Sequence, residues 1–252
     1  MLLNFRKAGE GKPLVILHGL FGSADNWMGI AKDLSQHYTL YLVDQRNHGD
    51  SPHSDEWNYA VMADDLKELL DGEGLDTVYL MGHSMGGKTA MNFALKYPER
   101  VAKLVVADIA PRYYPVHHAT ILEGLNSLDF DQISSRKEAD DQLAKFISEL
   151  GIRQFLLKSL TRVDGKFAWK INLPVITEKI EIVGEALQGE RTFEGPTLFM
   201  GGENSKYIQE KDREDMERFF PGHHLIFIKK AGHWLHAEQP EAVVETLKAF
   251  LG

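Results

Sequence analysis

Gly82-His83-Ser84-Met85-Gly86 decides how the rest of this chain is read. The pentapeptide lies between an apolar run, Thr77 to Met81, and a helical stretch, Lys88 to Tyr97, so it predicts a strand, a sharp turn and a helix. A serine at such a turn takes a strained backbone conformation. The glycines two before and two after it remove the Cβ atoms that would strike neighbouring backbone. The hydroxyl is then presented at the strand tip. The helix N-terminus that follows offers free N–H groups and the positive end of a dipole, both of which stabilise negative charge arising nearby. Gly and Ser are also common turn residues, so the pentapeptide alone is equally compatible with a structural turn. Its surroundings decide.

On the N-terminal side, Leu2 to Arg6 alternates weakly, as an edge strand would. Pro13 to Leu17 is a nearly all-apolar run ending at His18-Gly19, and Tyr38 to Val43 is another, ending at Asp44. Such runs predict strands of a parallel sheet buried on both faces. Val61, Met62, Leu66, Leu69 and Leu70 share one helical face, opposite Asp64, Asp65, Lys67 and Glu68. On the C-terminal side, Ala90, Phe93, Ala94 and Tyr97 recur at helical spacing before Pro98 ends the helix. Leu104 to Ala107 is the next strand, ending at Asp108. Pro196 to Met200 and Leu225 to Ile228 resume the pattern, separated by the charged, helix-like Lys206 to Phe220, and Glu241 to Leu251 closes the chain as an amphipathic helix. Between Pro111 and Glu190 the alternation stops for far longer than an ordinary connection. Ala139 to Leu150 and Gln154 to Leu160 read as helices, so residues 111–190 are expected to form a helical cap inserted into a core of residues 1–110 and 191–252.

A chain of 252 residues can bury one large α/β core. A formal net charge of −9 disfavours nucleic acid as a partner and suits small-molecule chemistry. There is no cysteine, which excludes disulfides, thiolate metal sites and a cysteine nucleophile. No stretch has the length of a signal-peptide core or a bilayer span, so the expectation is a cytoplasmic protein without stable membrane insertion, a monomer or small homo-oligomer.

Open α/β sheets bind ligands beyond the carboxyl ends of their strands. His18, Asp44, Ser84, Asp108, Glu203 and His233 all follow strands, and that coincidence is stronger than any one motif. A serine hydroxyl needs a base, ordinarily a histidine oriented by a carboxylate. Of the eleven histidines, His233 is preferred, because Ala231-Gly232-His233-Trp234 follows the last strand; His236 is its rival. His83 adjoins the serine but is aimed elsewhere by the turn and is read as packing, and the pairs His117-His118 and His223-His224 show no metal-ligand pattern. For the acid, Asp108 preserves the chain order Ser, Asp, His. Glu203, in Gly201-Gly202-Glu203-Asn204-Ser205, and Asp44 are the alternatives, although Asp44-x-Arg46-x-x-Gly49 reads first as a structural ion pair or turn. Oxyanion donors are expected from the Met85 N–H and from Leu20 or Phe21, with Leu20 preferred.

His18-Gly19-Leu20-Phe21-Gly22-Ser23, Asp44-Gln45-Arg46-Asn47-His48-Gly49, Gly82-His83-Ser84-Met85-Gly86-Gly87-Lys88, Asp108-Ile109-Ala110-Pro111, Phe155-Leu156-Leu157-Lys158-Ser159 and Gly232-His233-Trp234 together resemble the α/β-hydrolase superfamily, and more narrowly its YbfF-type bacterial esterases. The resemblance runs from Leu14 to the C-terminus and includes the cap. It implies a mostly parallel eight-stranded sheet with helices on both faces, a helical lid, and a serine esterase or thioesterase whose acid follows the sixth strand, in agreement with Asp108. It implies no metal and no organic cofactor.

The cap is expected to form the acyl pocket, with Phe155, Leu156, Leu157 and Leu160 as candidate lining, and Phe21 and Trp234 beside it. Arg153, Lys158, Arg162, Lys166 and Lys170 stand against Asp164 alone, a local basic excess that would suit an anionic leaving group such as coenzyme A, with Arg153 and Lys158 as its contacts; a solvated face is the plainer reading. The expected reaction is hydrolysis of an ester or thioester through a Ser84 acyl-enzyme. Cleavage of a carbon–carbon bond on the same fold is the alternative enzyme reading. A non-catalytic binding protein is the alternative outside enzymes. Dehalogenase chemistry would need a carboxylate where Ser84 stands.

Overall fold

The computed structural model describes residues 1–252. Its strands are β1 (Phe5–Ala8), β2 (Lys12–Leu17), β3 (Tyr38–Val43), β4 (Val78–His83), β5 (Val101–Ala107), β6 (Leu160–Val163), β7 (Lys166–Trp169), β8 (Thr197–Gly202) and β9 (His224–Ile228). Its helices are α1 (Met28–Leu34), α2 (Tyr59–Gly72), α3 (Met85–Lys96), α4 (Ala119–Asn126), α5 (Arg136–Leu143), α6 (Leu150–Leu157), α7 (Leu173–Glu178), α8 (Arg213–Phe219), α9 (Leu235–Glu238) and α10 (Pro240–Leu251). None is long and apolar enough to cross a membrane.

Seven strands form one sheet in the order β1-β3-β2-β4-β5-β8-β9, parallel throughout except for β1, which runs antiparallel to β3. The expectation of eight strands is corrected to seven. The residues before β1 do not pair as a strand; Asn4 instead bonds Asp44 and Ser51 through its side-chain amide and main chain. The two remaining strands, β6 and β7, pair with each other inside the insert.

Alternating side chains of the central strands go to opposite faces. Val15, Leu17, Leu80 and Val106 pack in one cluster with Leu66 and Leu70 of α2, Phe93 and Ala94 of α3 and Met216 of α8. Leu14, Ile16, Met81 and Val105 pack in another with Ile30 and Leu34 of α1 and Val243 and Leu247 of α10. Each fully buried side chain of this kind contributes about 1.5–3 kcal/mol, which is why the strands read as unbroken apolar runs. The Asn58 side chain caps α2 by accepting the Val61 N–H at 2.9 Å. Pro98 ends α3, as its missing N–H requires.

The insert departs from the helices expected of it. The stretch Ala139 to Leu150 is broken: α5 ends at Leu143, and α6 starts at Leu150 and ends at Leu157. Arg153 stabilises the break by donating to the Ile147 and Ser148 carbonyls, each at 2.9 Å, while its Nε pairs with Asp140 at 2.8 Å. The β6–β7 hairpin turns at Asp164-Gly165, both at positive φ, the geometry that an Asp-Gly two-residue turn favours.

Arg46 forms a nearly buried fork with Asp65 of α2, at 2.5 and 2.8 Å. It ties the loop after β3 to the helix beneath it. Asp65→Ala would leave a buried guanidinium without its carboxylate, and urea unfolding is expected to show a loss of about 3–5 kcal/mol. An effect within a few tenths of a kcal/mol would remove this pair from the account of the fold.

Candidate active site

β4 delivers Ser84 into the turn before α3 at φ 52°, ψ −118°, a backbone conformation that non-glycine residues rarely take. The turn tolerates no bulk at its flanking glycines. A Cβ on Gly82 would lie 2.1 Å from the Gly86 carbonyl oxygen, and one on Gly86 would lie 2.5 Å from the His18 carbonyl oxygen. Strand pairing continues past the strand ends: the Ser84 N–H donates to Ala107 O at 3.0 Å, and the Asp108 N–H to Met200 O at 2.9 Å. Ser84 and Asp108 thereby stand on adjacent strand tips.

Asp108 is fully buried at φ 48° and accepts three hydrogen bonds. Gly202 N–H reaches Oδ1 at 3.0 Å, while the Ser205 hydroxyl and His233 Nδ1 reach Oδ2, the latter at 2.7 Å. A carboxylate only accepts, so Nδ1 carries a proton and Nε2 is left free to act as a base. Tyr207 lies flat on the His233 ring, with centroids 4.0 Å apart and planes 20° apart. His83 Nε2 faces the His233 carbonyl at 2.8 Å and holds the loop from the other side. Ser84 and His233 line one cavity, with no hydrogen bond joining them in this structure.

The alternatives are occupied elsewhere. Glu203 accepts the Lys230 N–H at 2.8 Å and does not meet His233. Asp44 accepts from the Ala24 and Asp50 N–H groups and from the Asn4 amide, a loop anchor whose bonds lower its pKa against the opposing effect of burial. His236 is stacked on Trp27 with centroids 4.1 Å apart, away from Asp108.

At the oxyanion position, the Phe21 N–H is taken by His48 Nε2 at 3.2 Å, whereas the Leu20 N–H donates to no protein acceptor and the Met85 N–H is the first of α3, a position with no partner inside its own helix. His48 Nδ1 faces Arg46 O at 3.0 Å. His18 is bonded in the same manner, with Nδ1 on Gly19 O at 2.8 Å and Nε2 accepting from the Gln45 N–H at 3.0 Å. Each ring donates once and accepts once, which only a neutral imidazole does. Burial is the main cause of their low pKa values: it lowers His18, pushes His48 down to about 3 and His236 down to about 3, and takes His83 well below the ordinary histidine range.

The cavity, of about 270 Å³, is mostly apolar. Of the residues expected to touch substrate, Phe21, Phe155, Leu156 and Trp234 line it, together with Leu20, Ser84, Met85 and His233. Phe155 and Trp234 form one aromatic edge, with centroids 5.7 Å apart. Arg153 and Lys158, expected to contact a leaving group, do not line it. Arg153 is spent on Asp140 and two carbonyls within the insert, and Lys158 borders a separate shallow cleft beside Asp44 and Asp50. The basic excess is also quenched from outside its own stretch: Lys166 pairs with Asp131 and Lys170 with Asp50, each at 2.6 Å.

Ser205 and Tyr207 are site residues that the sequence does not single out: the helical pattern of Lys206 to Phe220 covers Tyr207, whereas α8 starts only at Arg213, and Ser205 stands in the loop before it. The signal was the polar turn cluster Asn204-Ser205 after two glycines at a strand end.

Residues 12–240 match the family described as the alpha/beta hydrolase fold. The chain is 40% identical over 256 residues to the sn-1-specific diacylglycerol lipase ABHD11 of Danio rerio, covering 98% of this chain and 80% of that one. It is 39% identical over 244 residues to the esterase YbfF of Escherichia coli, covering 96% and 94% respectively. A solved structure described as a marine microorganism esterase superposes with a TM-score of 0.97 at 44% identity, covering 99% of both chains.

The neutral histidines make stability depend on pH. Unfolding frees them to protonate near pH 6.5, so the unfolded state binds more protons than the native state below that point. Stability is full above about pH 6.5 and falls as pH drops toward about 3, by about 1.4 kcal/mol per pH unit for each histidine involved. Urea unfolding followed from pH 7 to pH 5 is expected to show this slope, and His48→Gln should flatten it by about one proton. A wild-type stability independent of pH over that range would contradict the assignment.

Proposed function

The chain belongs to the α/β-hydrolase family and is a carboxylic ester hydrolase, and from that premise we propose that it works through a Ser84 acyl-enzyme with His233 as general base and Asp108 as the acid that orients it. The observation that carries this reading is the 2.7 Å contact of His233 Nδ1 with Asp108, at a cavity that His233 lines together with Ser84, which is held in a strained turn.

His233 Nε2 takes the Ser84 proton as Oγ attacks the acyl carbon, and Asp108 holds the imidazolium that forms. The carbonyl oxygen becomes an oxyanion beside the Leu20 and Met85 N–H groups; one such donor is worth about 2.7–4 kcal/mol in the transition state. When the tetrahedral intermediate collapses, the bond to the leaving oxygen breaks and His233 returns the proton to it. Water then repeats the sequence on the acyl-enzyme. The Ser84–His233 hydrogen bond that this requires forms when substrate is bound.

The apolar lining supports an uncharged acyl group of small or medium size. The same acyl-enzyme would serve a thioester. The pairing of Arg153, Lys166 and Lys170 with acidic partners favours an ester of an uncharged alcohol over an acyl-CoA. Butyryl p-nitrophenyl ester and butyryl-CoA assayed side by side decide the leaving group. Ser84→Ala is expected to abolish turnover and labelling by a fluorophosphonate. Asp108→Asn should lower kcat by about 10⁴, because the amide favours the wrong imidazole tautomer, while Glu203→Gln should leave it unchanged. Near-normal rates for Asp108→Asn would move the acid elsewhere, and turnover surviving in Ser84→Ala would end the acyl-enzyme route in favour of carbon–carbon hydrolysis or another mechanism.

A further inference from the structure

The chemistry above makes no use of Lys88. Its side chain is fully buried in α3, one turn beyond Ser84, and no carboxylate bonds it. The ammonium donates to three carbonyls: Pro111 at 2.9 Å, Arg112 at 2.6 Å and Glu185 at 2.7 Å. An ammonium has three donors, so the group is saturated. Tyr114 adds its ring face, with Nζ 5.3 Å from the centroid.

These acceptors sit on the two places where the chain crosses between core and insert. Pro111 and Arg112 lead out, and Glu185 leads back. The crossings are bonded to each other as well, through Tyr114 N–H to Gly184 O at 2.8 Å and Leu187 N–H to Pro111 O at 2.9 Å. They run so close that a Cβ on Gly184 would lie 2.1 Å from the Tyr114 carbonyl oxygen. Tyr114, Val116, Val183 and Gly184 of these crossings line the cavity that holds Ser84. A buried charge is tolerated only when fully bonded, and a methionine would fill the space without it. The charge here makes three charge-assisted bonds, stronger than neutral ones, to both segments at once, beside the two main-chain bonds and the packing of Tyr114 and Leu187 in one apolar cluster. Burial, helped by Arg112, pushes Lys88 down to about 7, while Asp215, Glu185 and Asp212 favour its charged form.

We propose that Lys88 is a positioning residue whose ammonium ties the outgoing and returning crossings into one wall of the cavity and thereby sets the length of acyl chain that the site accepts. The acyl-length part rests on the ester-hydrolase reading above; the tie itself does not.

Lys88→Met and Lys88→Gln test both parts. In Lys88→Met the Tyr114 and Leu187 amides should exchange hydrogen about tenfold faster or more, with Lys88→Gln, which keeps two N–H donors, in between. In the same variant kcat/KM for p-nitrophenyl hexanoate should fall about tenfold, mainly through KM, while that for p-nitrophenyl acetate stays within about threefold. Unchanged exchange at the two amides, or equal losses on both esters, would overturn the proposal; a purely structural lysine predicts the latter. If neither variant folds, the wild-type amides decide: with the tie present they exchange only through global unfolding, and exchange by local opening would refute it. Should the wild type turn over neither ester, the acyl-enzyme reading fails while the exchange measurement still judges the tie.

Discussion

The site rests on the parallel register at the carboxyl ends of β4, β5 and β8. His83 stands opposite Ala107, and Ala107 opposite Met200. One residue further, the chain breaks from the sheet at Ser84 and Asp108, both at positive φ, so two polar side chains emerge side by side from strands that are otherwise apolar. A slip of one residue would turn every side chain of a strand to the opposite face. Since both faces are packed against helices, such a slip would bury the wrong set twice over. The cores on the two sides therefore specify the position of Ser84 relative to Asp108 before any bond at the site forms, and the His233 loop needs only to bring one ring to a prepared carboxylate.

Around that pair burial keeps four imidazoles, those of His18, His48, His83 and His236, uncharged. His18, His48 and His83 each direct ring nitrogens at main-chain groups, and His236 is held against Trp27. This serves two ends. The rings shape the loop that presents Leu20, because His48 removes the Phe21 N–H from competition. Uncharged, they also do not oppose formation of an imidazolium at His233; His83 and His236 lie with ring centroids 4.6 and 5.3 Å from His233 and His83 respectively, close enough for such repulsion to matter.

The core was readable from sequence because each feature there has a local cause. Val15, Leu80 and Val106 need apolar neighbours on one face of the sheet and Leu14, Met81 and Val105 on the other, and Ser84 needs glycines at fixed offsets, so runs and motifs carry the information. The count of eight strands came from resemblance and not from residues, and the chain forms seven. The insert was less legible, because its bonds join residues far apart in the chain. Arg153 and Lys170 look like free cations among their neighbours, yet Asp140 and Asp50 meet them across folded structure. The break after Leu143 depends on a guanidinium ten residues later in the chain. Asp164-Gly165 is a hairpin signal carried by the sequence itself, a two-residue turn between β6 and β7. Ser205 is the instructive loss: a small polar residue in a turn has no signature until the carboxylate it bonds is known.

The insert is not a separate body laid over the core. Phe21, Trp57, Tyr59, Met62 and Met85 from the core pack in the same apolar cluster as Leu156, Leu157, Leu173 and Ile176 from the insert. Lifting the insert as a unit would expose all of them, and at about 1.5–3 kcal/mol for each large side chain the cost is comparable to or greater than the total stability of an ordinary domain. The chain around the cavity is therefore under two different constraints. Met85 and Leu156 belong to a cluster that cannot open without unfolding, whereas Tyr113 is exposed and Phe155 only half-buried. Changes in what the cavity admits are confined by this packing to its rim and to the crossings, where hydrogen bonds between short segments carry a larger share of the contact.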